Sequence, residues 1–168
     1  MIVGGSARRS MYSELVTLLS GRTLDDEAVR EMVAELDAAL REPEEWMLDF
    51  DPETIRQLTV ELAIIDYVLI GDKIDELHEL ISDEFAEPLK PFPYRDDNEK
   101  VLVADYFAWL DNELGARIPA WELLSWDNDL DDNLHVVIVR RLDTDRIVAL
   151  ADSLGLRVSR ATDAVRLP

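Results

Sequence analysis

The chain has 168 residues, no cysteine, and 37 acidic residues against 17 basic, a formal net charge of −20. Such a field repels nucleic acid, whose binding depends on cationic neutralisation of phosphates, and the missing cysteine excludes disulfides, thiolate metal sites and a cysteine nucleophile. With 48% hydrophobic residues but no apolar run near about 18 residues, a packed core is expected and a membrane-spanning helix is not.

The charge is uneven. Residues 25–84 hold 20 acidic and 4 basic side chains, whereas residues 134–168 hold 4 acidic and 6 basic ones. A surface of the first kind attracts a basic partner and speeds the encounter. The absence of cysteine suits the reducing cytoplasm, the expected location.

Residues 1–10 include Arg8 and Arg9 with no apolar segment behind them. They read as a loose tail rather than a secretory signal, and Met11 is an alternative start. Residues 11–20 form a short helix with Leu15, Leu18 and Leu19 on one side, stopped by Gly21 in the left-handed region. A second helix, 24–41, is capped by Thr23 and carries the stripe Val29, Met32, Val33, Leu36 and Leu40. Asp51-Pro52 opens a third, 52–70, as N-cap and first helical position. Its inward residues are Ile55, Leu58, Leu62, Ile65 and Leu69. The β-branched tail 64–70 leaves a strand open as an alternative. Asp72 caps a fourth helix, 73–85.

Pro88, Pro91 and Pro93 forbid helix. They mark a connection, 87–98, between an acidic helical lobe, 11–86, and an α/β lobe, 99–168; one continuous domain over 11–168 is the alternative. A fifth helix spans 99–114. Residues 119–126 form a strand with imperfect alternation. Residues 134–140, Leu-His-Val-Val-Ile-Val-Arg, form the clearest strand of the chain, apolar enough to be covered on both faces. Asp143 caps a helix, 144–154, and residues 156–159 return as a strand. This strand–helix–strand unit is short, so its strands are either neighbours or have one strand between them. The expected class is α+β: a mainly helical N-terminal lobe packed with a small sheet of about three strands.

The acidic loop 127–133 is the first place to look for chemistry. Asp127, Asp129 and Asp131 alternate like the first ligands of a helix–loop–helix calcium site. The pattern then breaks, with Asp132 where the turn needs glycine and Ile138 where a bidentate glutamate is needed. Asp127, Asp129, Asp131 and Asp132 stay candidates for a different hard-cation site, against the plainer reading of a solvated hairpin loop. His78-Glu79 begins like a zinc-protease helix, but Ser82 replaces the second histidine. His135 reads as structural. Gly4-Gly5 is followed by no phosphate-binding pattern, so no cofactor is expected.

The helical lobe offers partner contacts instead. Asp25, Asp26, Glu27, Glu31, Glu44 and Glu45 are its candidate acids. Phe92 and Tyr94 are aromatic anchors in the proline-rich connection, since aromatics are enriched at interfaces. A bare sheet edge invites self-pairing and the net charge opposes it, so the oligomeric state stays open.

The order helix, Trp-containing strand, acidic loop, Val-rich strand, capped helix and strand over 101–161 resembles small acidic bacterial proteins of an uncharacterised domain family. The phrases His135-Val-Val-Ile-Val139 and Ile147-Val-Ala-Leu-Ala-Asp-Ser-Leu-Gly-Leu156 carry that resemblance. It implies an α/β layout and transfers no catalytic residue. In style the chain is similar to bacterial immunity proteins, an analogy of size, acidity and missing catalytic motifs. The expectation is therefore a non-catalytic acidic protein that neutralises a basic partner, as an immunity protein or a nucleic-acid mimic would. A carboxylate-dependent metal enzyme using the 127–132 loop is one alternative. A structural module is another.

Overall fold

The structure, a computed structural model, describes residues 4–93 and 102–164. Its architecture is α+β, mainly helical with a four-stranded antiparallel sheet among the described residues. The helices are α1 (Gly5–Leu19), α2 (Asp26–Arg41), α3 (Pro52–Ala63), α4 (Ile74–Asp83), α5 (Val103–Gly115), α6 (Thr144–Ser153) and α7 (Ala161–Ala164). The strands are β1 (Val68–Gly71), β2 (Trp121–Trp126), β3 (Leu134–Arg140) and β4 (Val158–Arg160).

The spatial order is β1-β3-β2-β4. Strand β3 pairs with β2 through Leu123–Ile138 and Leu124–Val137, and with β1 through Val68–Val137 and Leu69–Val136. Strand β4 pairs with β2, not β3. The unit β3–α6–β4 therefore places one strand between its two ends, the second of the two arrangements its length allows.

Because side chains alternate along a strand, β3 feeds two cores. Val137 and Val139, with Leu124, Trp126 and Val68, pack against Leu15, Leu19, Val33, Leu36, Val60, Ile147 and Leu150. Val136, with Leu123, packs against Leu77, Ile81, Tyr106, Leu110 and Leu114. Helices α1, α2, α3 and α6 thus cover one face, and α4, α5 and α7 the other. Residues from both sides of the proline-rich segment share both cores.

Several boundaries differ from expectation. Helix α1 begins at Gly5, so residues 5–10 are helical rather than a loose tail. Asp25, not Thr23, caps α2, accepting the Ala28 N–H at 2.8 Å. Helix α3 stops at Ala63, and Val68–Gly71 becomes β1. The β-branched residues there gain a ladder with β3 that helix cannot supply. The sheet gains its fourth strand in this way. Asp143 makes no cap hydrogen bond. It is buried and takes Arg22 Nε and Nη2 at 2.8 and 2.7 Å, tying the α1–α2 turn to the start of α6. The expected start of the fifth helix, from residue 99, lies outside the described residues.

The inner face of α3 also differs from expectation. Buried positions are Gln57, Thr59, Val60 and Glu61, whereas Leu62 and Ile65, expected inward, are 47% and 42% exposed. Polar side chains went inside because partners wait for them there, as described below. Among the described residues no helix is long and apolar enough to cross a membrane.

At the α1–α2 turn both Gly21 and Arg22 have φ of 66°. A Cβ added at Gly21 would lie 3.2 Å from the Trp121 ring. Gly21→Ala is expected to lower stability by about 1–2 kcal/mol, from left-handed strain and this crowding. Urea denaturation at equilibrium measures it.

Candidate functional site: an acidic face with an apolar groove

Helix α2 turns Val29, Val33 and Leu36 inward, with Met32 and Leu40 partly buried against the same core, and its glutamates face solvent. Glu27 and Glu31 point away from the core, and no hydrogen bond or ion pair engages them among the described residues. Asp26 instead lines a cleft with Arg22, Arg30, Asp143 and Arg146. Asp25 is the cap described above. Glu44 accepts the Trp46 indole N–H, and Glu45 is exposed in the 3-10 turn Glu45–Met47. The expected acids therefore line one helix and its exit but do not form one cluster.

Between α2, that turn and α3 lies a groove of about 210 Å³. Leu36, Ala39, Met47, Leu62 and Ala63 form its apolar floor and walls, and Glu35, Glu42 and Glu44 its charged lining. Met47 is buried beneath, with its sulfur 3.6 Å from the Thr59 hydroxyl. Trp46 and Leu48 flank Met47 in the chain and are 52% and 60% exposed. Leu62, also exposed, continues the apolar surface onto α3. Of the groove residues, sequence reasoning named only Glu44 as a contact and missed Glu35, Glu42 and Leu62 among others. The signal was present: a helix whose apolar residues spread around too much of its circumference cannot bury them all.

The aromatic anchors fall elsewhere. Phe92 is half-buried, 5.4 Å from the Tyr106 ring and 5.3 Å from the Trp109 ring, nearly perpendicular to both. His78 holds the same corner, with Nε2 3.0 Å from the Lys90 carbonyl and Nδ1 2.9 Å from the Tyr106 hydroxyl. In a neutral ring, Nε2 donates to that carbonyl and Nδ1 accepts. Phe92 thus pins the proline-rich segment to α5, a packing contact. Tyr94 lies outside the described residues.

The four loop acids do not converge. Asp127 and Asp129 pair with Arg157 at 2.9 and 3.0 Å, Asp131 turns to His135, and Asp132 is exposed. Among the described residues no group of three or more His, Asp or Glu side chains is gathered to hold a metal ion. The arrangement instead fastens the loop. Gln57 Nε2 donates to the carbonyls of Asp127 and Arg157 at 3.1 and 2.9 Å, while its Oε1 accepts the Arg157 N–H at 2.9 Å.

His135 is the second fastening. The buried ring contacts the buried Glu61 carboxylate through Nδ1; its Nε2 lies 2.9 Å from Asn128 Nδ2 and 3.1 Å from Asp131 Oδ1. A neutral ring donates from Nδ1 to Glu61 and accepts from Asn128; a protonated ring donates to both carboxylates. Burial raises the pKa of Glu61, and contact with His135 opposes that rise. Burial acts upward on Asp131 too, but the Asn133 N–H and the His135 ring outweigh it and lower its pKa.

A buried carboxylate with a raised pKa stabilises the fold most below its unfolded value and loses that contribution as pH rises through its folded value. Removing His135 takes away what supports the charged form. His135→Gln is therefore expected to cost more stability near neutral pH than at about pH 4, where the Glu61 carboxyl is largely protonated. Urea midpoints of the native protein and the variant at the two pH values measure the difference. A cost equal at both pH values would contradict this account.

No family model matches this chain, and neither a curated protein nor a solved structure shows significant similarity to it.

Proposed function

We propose that this protein is a non-catalytic binding protein whose α2–α3 face docks a basic partner protein, as a toxin-neutralising immunity protein or a nucleic-acid mimic does. The observation that carries this reading is the groove itself: an apolar floor under a lining of glutamates, beside an exposed tryptophan. A solubilising acidic surface has no use for exposed Trp46, Leu48 and Leu62, which cost about 25 cal/mol for every Å² left in water. Together they match a segment with one apolar and one cationic face. An amphipathic basic helix laid in a groove meets that description.

The electrostatic part speeds and orients the encounter, and the apolar part holds the complex. Direct binding of nucleic acid is disfavoured by the same field that favours a basic protein. Reaction chemistry finds little support here: three of the four loop carboxylates, Asp127, Asp129 and Asp131, are engaged by Arg157 and His135 rather than presented to a substrate.

Calorimetry with a synthetic amphipathic helix, leucine on one face and lysine and arginine on the other, tests the reading. Binding is expected at low ionic strength and should weaken as the Debye length contracts below about 10 Å. Glu35→Gln with Glu42→Gln should weaken it about tenfold at low salt, and Leu62→Ser about tenfold at any salt. No binding, or binding indifferent to salt and to all three substitutions, would remove the groove as the docking site.

A further inference from the structure

A further cavity opens where the chain leaves α3 for β1, walled by side chains of the α4–α5 side of the sheet. Ala63 closes the groove, and Asp66 and Tyr67, just beyond it in the chain, line a pocket of about 300 Å³. Its other walls are Leu69 of β1, Ile138 of β3 and Trp121 of β2, with Phe85 and Glu84 from the end of α4. The α1–α2 turn supplies the lip with Ser20, Gly21 and Thr23. Exposed Ile65 stands between groove and pocket along the chain. The two features are therefore linked along the chain, through the short stretch that separates Ala63 from Asp66.

The pocket has three aromatic walls, Tyr67, Phe85 and Trp121. Phe85 meets Trp121 edge to face with ring centres 6.0 Å apart. Its charged members, Asp66 and Glu84, are both exposed, and neither carboxylate has a hydrogen bond or ion pair among the described residues. The rings already attract guanidinium groups: Arg117 lies 4.4 Å from the Phe85 ring centre and Arg140 5.5 Å from that of Trp121. Neither arginine lines the cavity, which leaves Asp66 and Glu84 as its charged groups. The lip is held firm, because left-handed Arg22 next to Gly21 is clamped to buried Asp143 by two hydrogen bonds.

We infer that this pocket receives an arginine side chain of the basic partner, an inference that rests on the docking face proposed above. Its apolar walls suit the alkyl stem. The π-faces and the two carboxylates suit the planar, always-charged head better than they suit a compact ammonium. The pocket then anchors one residue while the groove takes the amphipathic segment.

The test uses a small probe, so that it does not depend on the groove. Nα-acetyl-arginine amide is titrated into the full chain, and the tryptophan indole N–H signals are followed by NMR, with Trp121 assigned from Trp121→Phe. Saturable shifts at Trp121 are expected. Nα-acetyl-citrulline amide, which keeps the shape without the charge, should bind about tenfold more weakly, and Asp66→Asn with Glu84→Gln should weaken the arginine probe to a similar degree. Both substituted positions are exposed, so folding is not at stake. Equal response to the two probes, or no response at Trp121, overturns the inference. That outcome leaves the groove standing if the amphipathic helix still binds and Leu62→Ser still weakens it. Failure of the helix while the arginine probe binds would remove the groove and keep the pocket as a guanidinium site.

Discussion

Strand β3 carries apolar side chains on both faces, and each face needs its own cover. The chain supplies α1, α2, α3 and α6 for one and α4, α5 and α7 for the other. Neither set is contiguous in sequence. Helix α6 must return to the layer built by the first three helices, and α4 must cross to the layer it shares with α5. A central strand buried on both sides therefore dictates the interleaving of N-terminal and C-terminal elements. It also explains why Val136, Val137 and Val139 are all buried.

The same constraint brings polar groups inside. His135 sits on the α3 face of β3, next in alternation to Val137, and its imidazole needs partners. Glu61 supplies one from α3, and Gln57, one helical turn earlier, satisfies the backbone at the junction of the acidic loop with β4. Once these two hold the inner face of α3, Leu62 is forced outward. The groove is thus a consequence of how the sheet's polar positions are satisfied. A helix that had buried Leu58, Leu62 and Ile65 would have left His135 Nδ1 without its Glu61 partner and the groove without Leu62.

Which parts were legible in the sequence follows from the range of the interactions. The capping of α3 by Asp51-Pro52, the stop at Gly21 and the strand at Leu134–Arg140 are written in local patterns. The Asp51 cap, for instance, accepts the Thr54 N–H at 2.8 Å, within one turn. The inner face of α3 is not local. Apolar periodicity favoured Leu58, Leu62 and Ile65, and the competing claim of Gln57 and Glu61 came from residues 70 and 74 positions away. Asp143 misled in the same way: its position before a helix resembled a cap, while its partner, Arg22, stood 121 residues upstream. The acids of the candidate face were visible by composition. The groove between them was not, since it needs α2 and α3 side by side.

Charge compensation explains why unneutralised acids remain on that face, as they do along α4. Few carboxylates enter the cores, and those that do arrive with a cationic or ionisable partner: Glu61 with His135, Glu122 with Arg160 at 3.3 Å, Asp143 with Arg22. The C-terminal arginines are engaged elsewhere as well. Arg141 holds Asp111, Arg146 holds Glu14, Arg157 holds two loop aspartates and Arg160 also holds Asp145. These pairs neutralise the acids around α1, α5 and the loop. At α2, Arg9 of α1 and Arg41 both meet the same carboxylate, Asp37, and leave Glu27, Glu31, Glu35 and Glu42 unmatched among the described residues. The residual charge is therefore positioned by where the arginines pair, and at about one Debye length, roughly 8–10 Å at physiological salt, the α2 glutamates act together as one negative surface. Because that surface borders the groove lined by Leu36, Ala39, Met47 and Leu62, the feature that draws a cation close also delivers it to the groove.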